Sequence, residues 1–299
     1  MHEPVLLQAV IEGLDLQPGL VVVDATAGRG GHSAAIAALI PGGRLIGIDQ
    51  DQAAIQSVKD RLSSVDGCQI DLRTGNFRAL DQILNALGIN QIDRILFDLG
   101  WSSDQLALSG RGFSFQTDEP LLMTYGAELA EGQQTARQIV NTWCSADLVA
   151  IFKDYGDEPF ARPIAEAIIT ARRDGPIETT GQLVAIIRAA VPRWYRAPNR
   201  RRHFATKIFQ ALRLAVNDEF VALAAGLTQG FARLVSGGRM AVIAFHSGEA
   251  RLIKNFFRGK KGLGQAELIT RHAIKPAFQE IRSNPRARSA TLRILQKNI

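Results

Sequence analysis

Cysteine is scarce: the chain of 299 residues holds two, Cys68 and Cys144, far apart and in no CxxC spacing. This excludes a disulfide framework, offers no structural zinc signature and fits a reducing compartment with two ordinary thiols. Long apolar runs are also missing, and none approaches the roughly 20 residues a membrane-spanning helix needs. The opening Met1-His2-Glu3-Pro4 lacks the basic-then-apolar pattern of a secretory signal. The expectation is a cytoplasmic protein with no membrane partner. There is no internal repeat and no low-complexity segment. What is present, 46% apolar and 21% charged residues, describes a globular chain long enough for one large domain or two ordinary ones.

Acidic residues are absent where basic ones gather. Between Arg193 and Arg213 there are seven Lys/Arg and no acid, and from Arg251 to Ile299 twelve Lys/Arg stand against Glu267 and Glu280. The rest of the chain has 16 bases and 27 acids, a net of −11 beside zones of +7 and +10. An acidic body with two basic zones, one holding the run Arg200-Arg201-Arg202, suits a polyanionic partner such as nucleic acid. The competing reading is a solvated basic face.

Along the chain, residues 20–27 read as a short buried parallel strand, followed by Gly28-Arg29-Gly30-Gly31 and a helix from Ser33 to Leu39. Further strands are expected at 44–49, 69–74 and 92–99, with a helix over 52–62. Strands alternating with helices imply a parallel sheet covered on both faces. From about 104 to 205 no buried strand is evident, and helices are expected over 135–143, 146–152, 160–172 and 180–190. The α/β pattern resumes with a long helix over about 206–235, a strand over 239–245 and a last strand over 290–295. The resulting division is 1–103 as the first part of an α/β core, 104–205 as an inserted, mostly helical domain, and 206–299 as the second part with a basic tail.

The glycine loop is the first candidate site. Glycines between a strand and a helix permit a tight turn and close approach of a ligand to backbone N–H groups. Asp49 ends the second strand 21 residues after Gly28, the spacing at which an acid reaches ribose hydroxyls in nucleotide-binding α/β folds. A helix-capping role competes with that reading. No GK[ST] follows, which excludes a P-loop, and Ser33 stands where GxGxxG requires its last glycine. Two further acids favour S-adenosylmethionine over a nicotinamide. Asp24, near the end of the first strand, can hold an ammonium group or order the loop, and Asp98 ends the fourth strand beside the expected crevice.

These segments resemble the bacterial ribosomal RNA small-subunit methyltransferase H family. The likeness begins with His2-Glu3-Pro4-Val5-Leu6-Leu7 and Gly28-Arg29-Gly30-Gly31-His32-Ser33. It continues through Phe97-Asp98-Leu99-Gly100, Ser102-Ser103, Gln105, Arg111-Gly112-Phe113-Ser114-Phe115, Tyr155-Gly156 and Phe160-Ala161-Arg162. It ends with Phe209-Gln210-Ala211-Leu212-Arg213, Val216-Asn217, Phe245-His246-Ser247, Asn284-Pro285-Arg286-Ala287-Arg288-Ser289 and Leu292-Arg293. The resemblance implies a class I (Rossmann-like) methyltransferase core with a helical insert and N4-methylation of a cytidine in 16S rRNA. It also implies cofactor contacts at Gly30, Gly31, His32, Asp49, Phe77, Asp98 and Gln105, to which the loop reading adds Asp24 and Gly28. Phe77 offers an apolar face for the adenine or, alternatively, a core aromatic. The chain departs from the family where Asp-Gly-Pro-Leu-Asp-Met-Arg-Met becomes Asp118-Glu119-Pro120-Leu121-Leu122-Met123-Thr124-Tyr125. It departs again where His-Ser-Leu-Glu-Asp-Arg becomes His246-Ser247-Gly248-Glu249-Ala250-Arg251.

For the chemistry, Asp98 is the leading candidate to orient an amine or the cofactor, with Ser102 beside Trp101 next. His246 is a candidate proton shuttle or phosphate contact, against a structural histidine. Asp98-Leu99-Gly100-Trp101 is not the Asp/Asn-Pro-Pro-aromatic motif of many amino-methyltransferases, so that mechanism does not transfer directly. Arg200, Arg201, Arg202 and Lys207, and Arg286, Arg288 and Arg293 in the tail, are the expected phosphate contacts of the 16S rRNA or small subunit. No metal-ligand cluster is evident, and the oligomeric state is open between monomer and homodimer. Methylation of another RNA or of a protein, and a catalytically weak RNA-binding assembly factor, are the alternatives.

Overall fold

The computed structural model describes residues 4–99, 109–126, 129, 132–197 and 203–298. The chain forms two compact units, Met1–Trp101 with Phe220–Ile299, and Ser102–Glu219. The return to the first unit therefore falls at 220, not at 206 as the sequence suggested.

In the first unit, β1 (Val21–Asp24), β2 (Arg44–Asp49), β3 (Gln69–Thr74), β4 (Ile92–Asp98) and β5 (Leu234–Ala244) run parallel. With β6 (Ala266–Leu268) and β7 (Thr291–Lys297) they form a seven-stranded sheet in the order β3-β2-β1-β4-β5-β7-β6. Strand β7 is antiparallel to both of its neighbours. Successive side chains of a strand face opposite sides. Thus Val22 joins the layer formed with α1 (Leu7–Leu14), α2 (Gly31–Leu39) and α3 (Gln52–Leu62), through Leu14, Ile36 and Val58. Val23 joins the other layer, with α4 (Leu80–Ala86), through Leu80 and Leu84. Each such fully buried aliphatic side chain contributes about 1.5–3 kcal/mol. This double burial explains why the parallel strands read as continuous apolar runs.

The second unit is helical, with α5 (Ala136–Thr142), α6 (Ser145–Asp154), α7 (Ala161–Ala171), α8 (Thr180–Ala190) and α9 (Thr206–Val216) around Phe152, Ile164, Leu183 and Leu212. Capping boxes at Thr135 with Gln138 and Thr179 with Gln182 start α5 and α8. The long helix expected over 206–235 is two helices, α9 and α10 (Glu219–Arg233). Asp218 turns into the left-handed region with φ 48°, and the Asn217 amide donates to the Met123 and Arg213 carbonyls at 2.8 and 2.9 Å. Strand β5 begins earlier than expected because it carries a bulge. Its register with β4 moves from Ile92↔Leu234 to Arg94↔Arg239. Gly238 sits within this irregularity, where a Cβ would lie 2.9 Å from the Val235 carbonyl and 3.0 Å from that of Asp93. Helix α11 (Ser247–Gly262) follows β5, and the short α12 (Phe278–Ser283) precedes β7.

Candidate active site

The parallel strands deliver their C-terminal ends to one edge of the sheet. Sheet order reverses between β1 and β4, and in open α/β folds ligands bind in the crevice outside the strand ends at such a point. Asp24 ends β1, Asp49 ends β2, Phe77 follows β3 and Asp98 ends β4, so four of the expected residues share this edge.

The loop after β1 is held by its own side chains. Asp24 is fully buried; its carboxylate accepts from Ser33 Oγ at 2.6 Å and from the Thr26 N–H at 3.3 Å. Burial pushes its pKa up, while Ser33, His32 and Thr26 oppose that rise. Of the two roles open to Asp24, this geometry supports ordering the loop. Gly30 caps α2 with φ 74°, and a Cβ there would lie 3.3 Å from Val58 Cα. A Cβ on Gly31 would fall 2.4 Å from the Pro4 ring. Gly28 donates its N–H to Asp49 Oδ2 at 2.8 Å, and Asp49 Oδ1 accepts from the Asp51 N–H at 2.9 Å. Burial raises the Asp49 pKa against these two hydrogen bonds. Asp51, not Asp49, caps α3, accepting from the Ala53 N–H at 2.8 Å.

His32 is buried beneath the loop. Its Nε2 lies 3.1 Å from the Val5 carbonyl, and its Nδ1 lies 3.4 Å from Asp98 Oδ2. A carbonyl only accepts, so Nε2 carries a proton. The carboxylate faces Nδ1, which favours a second proton there. Burial lowers the imidazole pKa, but Asp98, Asp24 and Val5 outweigh it and the net shift is upward. His32 thus ties the N-terminal segment to Asp98. The Asp98 backbone N–H donates to Thr26 Oγ1 at 2.6 Å, which fixes the end of β4 against the loop.

Phe77 is half-buried and packs edge-on against Phe97, with ring centroids 5.5 Å apart. Gly226 lies so close that a Cβ there would meet the Phe77 ring at 2.7 Å. The ring is therefore both a core aromatic and part of the strand-end edge. His246 begins α11: its Nδ1 accepts from the Glu249 N–H at 3.3 Å, and Glu249 Oε2 accepts from the Phe245 N–H at 2.7 Å. This assigns His246 a helix-capping task at the end of β5.

Ser102, Gln105 and Arg200 to Arg202 lie outside the described residues. Lys207 donates to the Asp157 carbonyl at 2.5 Å in the second unit. Arg286 and Arg288 sit on a turn at Pro285–Ser289, and Arg293 projects from β7. Thr26, Val5 and the pairing of Ser33 with Asp24 were not anticipated. Ser33 was visible only as a departure from a glycine pattern, and Val5 reaches His32 across 27 residues of chain. Among the described residues no three His, Cys, Asp or Glu side chains cluster to hold a metal ion. No helix among them is long and apolar enough to cross a membrane.

Strand order, antiparallel β7 and acids at adjacent strand ends define a class I, S-adenosylmethionine-dependent methyltransferase. The profile of the MraW methylase family matches residues 1–298, and the chain belongs to that family. It is 43% identical over 296 residues to ribosomal RNA small subunit methyltransferase H of Dictyoglomus thermophilum, covering 98% of this chain and 96% of that protein. Among solved structures it is similar to an rRNA methylase from Streptococcus thermophilus, at 12% identity and a TM-score of 0.45, with 100% and 99% of the two chains covered. TrmN from Thermus thermophilus matches at 12% identity and a TM-score of 0.46, with 98% of this chain and 48% of that chain covered.

Proposed function

We propose that the protein transfers a methyl group from S-adenosylmethionine to the exocyclic N4 amine of a cytidine in 16S rRNA of the small ribosomal subunit. The observation that carries this reading is the 43% identity, over nearly the whole chain, to a ribosomal RNA small subunit methyltransferase H. The strand-end residues suit the cofactor. Asp49 presents a carboxylate at the ribose position, Phe77 an apolar ring near the same edge, and Gly28, Gly30 and Gly31 a loop in which only Arg29 carries a side chain. When bound, the cofactor supplies an electrophilic methyl on a sulfonium.

The exocyclic amine of cytosine is a poor nucleophile because its lone pair is delocalised into the ring. A hydrogen-bond acceptor aimed at its N–H groups localises that pair and stabilises the positive charge that develops on nitrogen. Asp98 is assigned that task. Its carboxylate stands at the strand end, steered by His32 from one side, with its backbone fixed by Thr26. Ser102 is the second candidate from sequence, and His246 acts as a positioning residue through its cap of α11. A base paired in a duplex would have to be extruded to reach this edge. Arg286 and Arg288 are assigned to the rRNA backbone together with Arg200 to Arg202, Lys207 and Arg293.

Mass spectrometry of ribosomal RNA from cells with and without the gene tests the reading. Loss of N4-methylcytidine from the small-subunit RNA is the expected result, and an unchanged level rejects it. The departures at Leu122, Thr124, Gly248 and Ala250 favour, as a second reading, methylation of another RNA, which the same experiment would expose as loss of a different modified nucleoside.

A further inference from the structure

Away from the loops that follow β1 to β4, the first unit carries a pocket of about 240 Å³ lined by Lys254, Arg258, Arg271, His272 and Arg293, with Phe257 as an apolar wall. We infer that this pocket is a phosphate-binding site that grips the backbone of the RNA substrate within a few nucleotides of the one being methylated. The inference rests on the reading of the protein as an RNA methyltransferase and names a specific contact within it.

Three observations support it. The lining contains four permanent cations and a histidine but no acid. Among the described residues none of Lys254, Arg258, Arg271 or Arg293 forms an ion pair with a protein carboxylate. The one acid of β6, Glu267, alternates with the pocket-lining Leu268 and so faces the other side of the strand. Like charges held together without a counter-ion repel one another, and a polyanion relieves that repulsion. Burial, and then the neighbouring Arg258, lower the pKa of the Arg293 guanidinium, as expected of a cation lacking its counter-charge. Guanidinium groups match phosphate oxygens in pairs.

Position is the third observation. Phe97, Val242 and Arg293 form one row across β4, β5 and β7. Two strand spacings place the Arg293 backbone about 10 Å from that of Phe97, the neighbour of Asp98. Helix α11 starts beside the same edge and carries Lys254 and Arg258 about 12 and 18 Å along its axis from His246. A phosphate in the pocket would therefore belong to a nucleotide a few positions along the strand from the one at Asp98.

The test uses the full-length protein, a transcript of the small-subunit rRNA region that carries the methylated cytidine, and the variants Arg258→Gln, Arg293→Gln and their combination. Lys59→Gln, on α3, serves as a charge control. Affinity for the transcript is measured across a potassium chloride series, and S-adenosylmethionine affinity is measured in parallel. The expected result is weaker RNA binding, with the slope of log affinity against log salt reduced by about 1 per arginine removed. Cofactor affinity should be unchanged, and Lys59→Gln should have no effect. Melting of the RNA-free protein should rise or stay level on loss of Arg293, because removing one of several crowded cations relieves repulsion; a structural arginine would behave in the opposite way. An unchanged salt slope in the exposed-site variant Arg258→Gln and in the double variant overturns the inference. So does a rise in melting temperature with added inorganic phosphate that the double variant loses while its RNA binding stays intact, which would mark a site for a free anion. If the salt slope falls while cellular N4-methylcytidine proves independent of the gene, the pocket stands as an RNA contact and only the target nucleotide is wrong.

Discussion

The buried pair of Ser33 and Asp24 gives a quantitative test of how the cofactor loop is held. Ser33→Ala removes a 2.6 Å hydrogen bond to a carboxylate with no exposure to solvent. Hydrogen bonds to charged groups contribute about 1.5–3 kcal/mol. Ser33 lies in the first turn of α2, where alanine returns about 0.5 kcal/mol of helix propensity. The expected net loss is about 1–2.5 kcal/mol at neutral pH. The sign of its pH dependence follows from the same bond. The Ser33 hydroxyl opposes the upward push of burial on Asp24, so the wild-type carboxyl ionises at a lower pH than it does in the variant. The cost of Ser33→Ala should therefore grow as pH rises through the wild-type pKa, and shrink below it. Urea unfolding followed by circular dichroism at pH 5 and pH 8, with Asp24→Asn and the double variant completing a cycle, measures both effects. S-adenosylmethionine affinity should fall together with stability, because the disturbed loop carries Gly28 to Gly31. A cost below about 0.5 kcal/mol at pH 8, or the same cost in the Asp24→Asn background, would refute the assigned role of the pair.

Asp98→Ala should reduce methyl transfer by at least about 100-fold while far-ultraviolet circular dichroism stays near wild type; full activity would remove Asp98 from the chemistry. His32 has a folded pKa above its ordinary 6.5, so its contribution to stability is complete below that value and is lost as pH rises through the folded pKa. The stability gap between wild type and His32→Asn should accordingly narrow from pH 6 to pH 9, and a widening gap would show that the imidazole is held neutral. Gly248→Leu should destabilise by about 1–3 kcal/mol, because a Cβ at 248 would fall 2.5 Å from Phe220 Cζ. The same change made on Phe220→Ala should cost markedly less in a thermal melt, and equal costs would clear Phe220 as the obstacle.

What could be read from the sequence was local. Strands β2 and β3 and helices α3 and α8 occupy the residues expected of them, because the apolar run of β2, the apolar-polar alternation of β3 and the capping side chains of the helices write their own boundaries. Asp51 and Thr179 are such caps. The break between α9 and α10 was hidden because apolar periodicity runs through it. Asn217 and Met123, which secure it, lie 94 residues apart. The edge that unites Asp24, Asp49, Phe77 and Asp98 could be foreseen, since parallel strands deliver their ends to one side. The link from His32 to Val5 and Asp98 could not, because it depends on where the N-terminal segment passes. The cationic pocket falls between these cases. Its charge was counted in the basic tail, but its shape depends on α11, β6 and β7 meeting.

The family departures can be weighed on the same structural terms. Thr124, where the resemblance would place an arginine, is buried and donates to the Gly126 carbonyl at 3.0 Å. The next residue, Tyr125, stacks on Phe113 with rings 7° from parallel and donates its hydroxyl to Glu219 at 2.6 Å. Glu219 also accepts two bonds from Arg213, at 2.9 and 3.1 Å. Loss of the family's charged pair is therefore accompanied by a different polar set in which each group is matched. At the second departure, the space beside Gly248 is taken by the Phe220 ring, and Ala250 packs half-buried on the core of the first unit. Decay of a site under relaxed selection leaves buried polar groups unmatched and side-chain space unfilled, and each such defect costs about 1–3 kcal/mol. The first departure shows the reverse; at the second, the buried His246 Nε2 has no hydrogen-bond partner among the described residues and stands 3.1 Å from Glu249 Oε1. The segment around Thr124 and Tyr125 is therefore repacked rather than eroded.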